Sequence, residues 1–162
     1  CWSSCHDDAI GMPSAPAGAE ITKYLGASRA KMGRSGGGAA AKPDADIAAL
    51  LAQGTFLEYW QARLNPGKPA VPVNGWVLDQ RHEQQPTAIS AEAEFANGEW
   101  SVVLSRALAA TGNGQKALVP GKTYTLGFAL HDDHANHRFH QVSFEYTLVL
   151  DQGTADFVAA KR

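Results

Sequence analysis

Ala88-Ile89-Ser90-Ala91-Glu92-Ala93-Glu94-Phe95-Ala96-Asn97-Gly98-Glu99-Trp100-Ser101-Val102-Val103-Leu104-Ser105-Arg106 is the stretch whose reading decides the fold. Ala88 to Phe95 alternates in polarity, which puts every second side chain on one face of an extended chain. Asn97-Gly98 then supplies the two residues that most readily take positive φ, as a two-residue hairpin turn requires. Glu99 to Arg106 returns antiparallel.

The same grammar extends in both directions. Thr55 to Leu64 is aromatic-rich, reads as a strand and is stopped by Asn65-Pro66-Gly67. Gly75 to Asp79 is a short strand. After a loop through Gly112-Asn113-Gly114 and Pro120-Gly121, Lys122 to Leu130 and Gln141 to Leu150 give two more. The expected fold is mainly β, an antiparallel β-sandwich with a short helix and a cofactor-binding loop region. Six or so strands look like the second part of a sandwich, so further strands upstream of Cys1 are expected.

Before Thr55 the character changes. Met12 to Asp46 is rich in Ala, Gly, Ser and Pro, with Gly36-Gly37-Gly38 followed by Ala39-Ala40-Ala41, and cannot build a core alone. Residues 33–45 read as a surface loop. A helix is expected to begin after Asp44, where Asp46-Ile47-Ala48-Ala49-Leu50-Leu51 has an acidic start and apolar spacing, and to end by Gly54. At 162 residues the chain fits one domain, divided into an attachment and loop segment over 1–54 and sandwich strands over 55–162.

Composition excludes several functions. The formal net charge is -2 and the basic residues are scattered, so there is no field to attract nucleic acid. No apolar run approaches the roughly 18 residues of a membrane span. No charged-then-apolar leader precedes Cys1, and a chain that begins with Cys is expected to be processed or cut from a longer one, which fits export.

The chemical signal lies in Cys1-Trp2-Ser3-Ser4-Cys5-His6. Two thiols followed at once by an imidazole are what covalent haem attachment needs: the thiols add across the vinyl groups and the imidazole becomes an axial ligand of the iron. The spacing is one residue longer than the usual C-x-x-C-H. A disulfide between Cys1 and Cys5, a zinc site using His6 and a lipid-modified N-terminal Cys1 are the competing readings. The chain has no other Cys.

A second signal is His131-Asp132-Asp133-His134-Ala135-Asn136-His137-Arg138-Phe139-His140, which holds four of the six histidines at intervals of three. Haem held through His6 has one more axial position, open to imidazole or thioether. His140 opens a strand whose alternate residues Val142, Phe144 and Tyr146 share its face, a placement suited to a buried haem. His134 and His137 belong to the exposed tip, although His134 is an alternative ligand. Met32 and Met12 are thioether rivals, Met12 the less suited because it follows His6 by only six residues. These histidines with Asp132 or Asp133 would also suit zinc, copper or nickel.

Cys1 to Asp8, Met12-Pro13, Lys23-Tyr24-Leu25, Gly54 to Arg63 and Arg138 to Phe144 together resemble the cytochrome c relatives of the haem-binding γ subunit of ethylbenzene dehydrogenase. The resemblance covers nearly the whole chain, and the order and spacing of short motifs carry it. It implies a β-sandwich with one haem held between loops at its edge. In the γ subunits a b-type haem is bound through Met and Lys. Here His140 matches the Lys of the late strand, while Cys1, Cys5 and His6 add covalent attachment, so the resemblance implies His6 and His140 as the axial pair. It also implies strands upstream of the haem motif and a redox partner such as a membrane cytochrome b, a reductase or a dehydrogenase.

The leading expectation is a periplasmic, or otherwise exported, electron carrier with one covalent haem c, six-coordinate and not itself an enzyme. A haem-based gas sensor is the first alternative. The other is a haem-free binding module presenting Trp60, Trp76 or Trp100, although these three read as core rather than platform. Glu58, Asp79 and Glu83 form no convincing acid/base pair for a hydrolase.

Overall fold

A computed structural model describes residues 30–32, 40–131, 140–143 and 145–160. They are mainly β with one helix, arranged as several antiparallel sheets, in agreement with the sandwich-like class read from the alternating segments. The described residues fall into two compact units, one within 25–117 and the other within 118–162.

In the first unit, helix α1 (Asp44–Ala52) carries Asp44 and Asp46 in its first turn, where their charge complements the unpaired N–H groups. Gly54 ends it at φ +78°, a conformation that costs glycine nothing. Gly54 N–H donates to Leu51 O at 3.0 Å and Thr55 N–H to Leu50 O at 2.9 Å, the paired bonds of a Schellman cap. Ile47, Leu50 and Leu51 of the helix pack with Trp76 against buried Ala30, Phe56 and Leu78. Of residues 33–45, read as a surface loop, 33–39 lie outside the described residues; Lys31 bridges Ala41, and the helix has begun by Asp44.

Strands β1 (Leu57–Arg63), β2 (Val71–Val77) and β3 (Arg81–Glu83) form an antiparallel sheet. Its register opposes Glu58 to Trp76 and Trp60 to Asn74, so these four share a face. On the other face Tyr59 opposes Gly75, and its hydroxyl donates to His82 O at 3.1 Å. A Cβ on Gly75 would lie 1.9 Å from that carbonyl oxygen, so only glycine lets β2 and β3 pair here.

The hairpin of β4 (Ile89–Ala96) and β5 (Glu99–Arg106) matches the sequence reading closely. Asn97 and Gly98 have φ of 53° and 83°, the two positive values of a type I′ turn. Ile89 opposes Arg106 and Phe95 opposes Trp100 across it. β4 lies against β2 and β5 against β1, which makes this unit sandwich-like in cross-section.

The second unit departs from the reading. β6 (Tyr124–Leu126) and β7 (Ala129–His131) replace the single strand expected over 122–130. β8 (His140–Val142) and β9 (Tyr146–Leu150) likewise divide the strand expected over 141–150. The break has a cause in hydrogen bonding. Phe128 N–H donates to Ser143 Oγ, and Ser143 N–H donates to Phe128 O, both at 2.9 Å, which joins the two interruptions to each other. β10 (Phe157–Ala159) runs parallel to β9, and β6 pairs with the other edge of β9 antiparallel.

Asp156 fixes the start of β10. Its carboxylate accepts from Thr147 N–H and Thr147 Oγ1, each at 2.7 Å. The Thr147 backbone bond, then its hydroxyl, holds the carboxyl below its ordinary value of 3.8. A depressed carboxylate stabilises the fold above its unfolded value, and that contribution is lost as pH falls through the lower, folded value. The expected result is an Asp156 carboxyl midpoint, followed by NMR, below those of free aspartates, with β10 loosening only in acid below about pH 4. A midpoint at the ordinary value contradicts this bonding.

Candidate functional site

Cys1, Cys5, His6, Met12 and His134 lie outside the described residues, as do Asp132, Asp133, His137 and Phe144. Met32 is described and exposed, with its N–H donating to Ala40 O at 2.8 Å. His140 is the first residue of β8, as the sequence suggested. Among the described residues no group of three or more His, Cys, Asp or Glu side chains is placed to hold a metal ion.

The β7–β8 ribbon is what brings sequence-predicted residues together. Its register is Ala129 to Val142, Leu130 to Gln141 and His131 to His140. Directly opposed residues lie on one side of an antiparallel pair. One face of the ribbon thus carries His131, Ala129 and Val142, and the other Leu130 and Gln141, with the His140 backbone at the register position opposite His131. The two histidines are neighbours in space although eight residues separate them in the chain. Val142 is 64% exposed and Leu130 72% exposed, so both faces present apolar surface. That surface is compatible with a flat apolar ligand such as haem. At the base of the ribbon, Phe128 stands 6.1 Å from Tyr146 and 6.2 Å from Phe157, ring centre to ring centre.

Within the first unit the chemistry is structural. The Glu58 and Arg106 side chains are only 8% and 1% exposed, and Arg106 Nε lies 3.5 Å from Glu58 Oε1. Glu58 accepts from Trp60 Nε1 at 2.7 Å and from Lys116 N–H at 2.6 Å. Arg106 Nη2 donates to Lys116 O at 2.6 Å, and its guanidinium lies 5.1 Å from the centre of the Trp60 ring. Nε and Nη1 of Arg106 are buried without a hydrogen-bond partner. The Glu58 contacts hold Arg106, Lys116 and Trp60 in place.

The tryptophans divide. Trp76 packs on the core and stacks on His82 with ring centres 4.8 Å apart and planes at 11°. Gly114, at φ +76°, lies so close beneath Trp76 that a Cβ there would meet the indole at 2.2 Å. Trp100 is half-buried against Phe95. Trp60 is a correction to the core reading: it is exposed, because the buried Arg106 and Glu58 hold its polar edge at the rim.

The sequence reading also missed Asn74, which is fully buried. Its Oδ1 accepts from Thr87 Oγ1 at 2.8 Å and Ala88 N–H at 2.9 Å, and its Nδ2 donates to Gln84 Oε1 at 2.8 Å. Gln115 Nε2 donates to the same Gln84 oxygen at 2.9 Å and its own Oε1 accepts from Thr111 N–H at 2.8 Å. The one visible signal was an Asn inside an otherwise apolar strand segment.

Comparison with known proteins adds the identity of relatives. Residues 68–143 match the family model described as ethylbenzene dehydrogenase. The chain is 34% identical over 163 residues to cytochrome c-552 of Stutzerimonas stutzeri, an alignment that takes in all of this chain and 46% of the relative. The chain thus spans about half the length of the curated relative it matches. No solved structure matches it.

Proposed function

We propose that this chain, a relative of c-type cytochromes and of the ethylbenzene dehydrogenase family, is a monohaem electron-transfer domain, exported to the periplasm. The observation that carries the reading is the likeness to a cytochrome c-552 over the entire chain, Cys1 to His6 included. In this reading Cys1 and Cys5 would hold the haem through thioethers, and His6 and His140 would ligate its iron, with Met32, His134 and Met12 as rival ligands. The haem, when bound, supplies one-electron chemistry at its iron.

The chain's own residues do the rest. Two imidazole ligands leave no site for a substrate, so the domain carries electrons instead of turning over a reactant. Val142, two residues along β8 from His140, presents apolar surface against which a haem would pack. No helix among the described residues is long and apolar enough to cross a membrane. A redox partner, either a membrane cytochrome b or a reductase or dehydrogenase complex, would supply or accept the electron.

The test is an absorption spectrum of the purified protein in both redox states, with its intact mass. We expect the narrow visible bands of low-spin haem c on reduction and a mass equal to the chain plus one haem. A chain mass with nothing added removes the reading.

A further inference from the structure

We propose that Asn97 is a site of spontaneous covalent modification, at which the β4–β5 turn closes on itself and the carboxamide gives way to a carboxylate. The reaction needs no haem and is independent of the electron-transfer reading.

The chain contains three Asn-Gly pairs, Asn74-Gly75, Asn97-Gly98 and Asn113-Gly114. In each, the backbone nitrogen of the glycine can attack the side-chain carbonyl carbon of the Asn, since a glycine has no side chain to obstruct the approach. Sequence alone does not distinguish the three pairs; packing does. Asn74 is fully buried, with its carboxamide bonded to Thr87, Ala88 and Gln84. Gly75 beside it sits tightly against His82 O and the Tyr59 hydroxyl. Asn113 is exposed, but its attacking nitrogen belongs to Gly114, which is buried against the Trp76 indole. Ring closure at either place would push into packed groups, so it waits on local opening. At the tip of the hairpin, by contrast, Asn97 and Gly98 are both exposed, and a Cβ on Gly98 would meet nothing within 4 Å. This pair alone combines an open glycine with an exposed carboxamide.

The step balances with water as its one co-reactant. Gly98 N bonds to Asn97 Cγ, the Cγ–Nδ2 bond breaks, and ammonia leaves with the proton that Gly98 N gives up. Water then opens the resulting imide at either carbonyl. Opening at Cγ yields aspartate, whereas opening at the main-chain carbonyl yields isoaspartate, whose chain runs through the former side chain. Nothing is oxidised or reduced. Isoaspartate adds a carbon to the main chain of a turn whose strand pairing depends on its two-residue length. Either product adds a negative charge to a tip that already exposes Glu94 and Glu99.

Trypsin places the three pairs on separate peptides, 64–81, 82–106 and 107–116. The purified chain is held in mildly alkaline buffer, folded or in concentrated urea, and the peptides are followed by mass spectrometry with fragmentation. Isoaspartate is counted with an isoaspartyl methyltransferase and labelled S-adenosylmethionine. In the folded protein we expect Asn97 to convert at least about tenfold faster than Asn74 or Asn113, the separation that a need for local opening imposes. In urea the three rates should converge. Asn97→Ser should abolish both the mass gain and the methyl label in peptide 82–106. A folded protein whose Asn97 converts no faster than the other two overturns the proposal. So does a mass gain in 82–106 that the fragments assign to Gln84 or Gln85, or one that persists in Asn97→Ser.

Discussion

Serine at both Cys1 and Cys5 is expected to leave a chain whose intact mass is that of the polypeptide alone, whereas the wild-type protein should carry one haem through denaturation. A thioether survives unfolding and axial coordination does not, so denaturing mass spectrometry separates the two kinds of attachment. The single variant Cys5→Ser keeps one thioether at most. It leaves one vinyl group conjugated with the macrocycle, and its reduced band moves to longer wavelength than that of the wild type. A disulfide between Cys1 and Cys5 would give the opposite pattern: a haem-free wild-type mass, with thiols that react only after reduction.

Glu58→Ala is expected to cost about 3–5 kcal/mol, because it strands a guanidinium that is 1% exposed with no counter-charge. The variant also removes the acceptor for Lys116 N–H and Trp60 Nε1. Domains of this size have about 5–15 kcal/mol to lose, so a large shift in the denaturation midpoint should follow. The paired replacement E58L/R106M removes both charges and fills the space with apolar groups, and most of the loss should be recovered. Urea titration followed by tryptophan fluorescence reads both, since Trp60 touches each partner. A loss under about 1 kcal/mol in the single variant means that the pair behaves as a solvated surface bridge and not as a buried one.

The legible parts of the fold were those set by neighbours in sequence. Asn97-Gly98 dictates its own turn, and the acidic start and terminal glycine of α1 bound the helix to within two residues. What escaped was set by partners far along the chain. Ser143 interrupts the strand at Phe128 from 15 positions away, and no local pattern announces that. β3 and β10, at three residues each, are too short to show a period. Glu58 and Arg106 meet across two different sheets, so neither residue alone reads as half of a pair. At the proposed site, Cys1 to His6 stood out because haem attachment would demand adjacency in sequence. The register that sets His131 opposite His140 was hidden in plain spacing: intervals of three in sequence say nothing about which two positions a pair of strands will oppose.

The Asn74 to Gln84 to Gln115 chain of amides bears on how the first unit opens. These side chains tie β2, the segment entering β4 and the loop after β5 to one fully buried amide. None of those segments can leave without abandoning buried donors and acceptors in the others, at a cost comparable to unfolding them together. The amide protons of Gln84, Ala88 and Thr111, bonded to Asn74 O, Asn74 Oδ1 and Gln115 Oε1, should therefore exchange with solvent through one shared opening. The unit of cooperative unfolding here is drawn by three carboxamides and runs across the boundaries of strands and sheets.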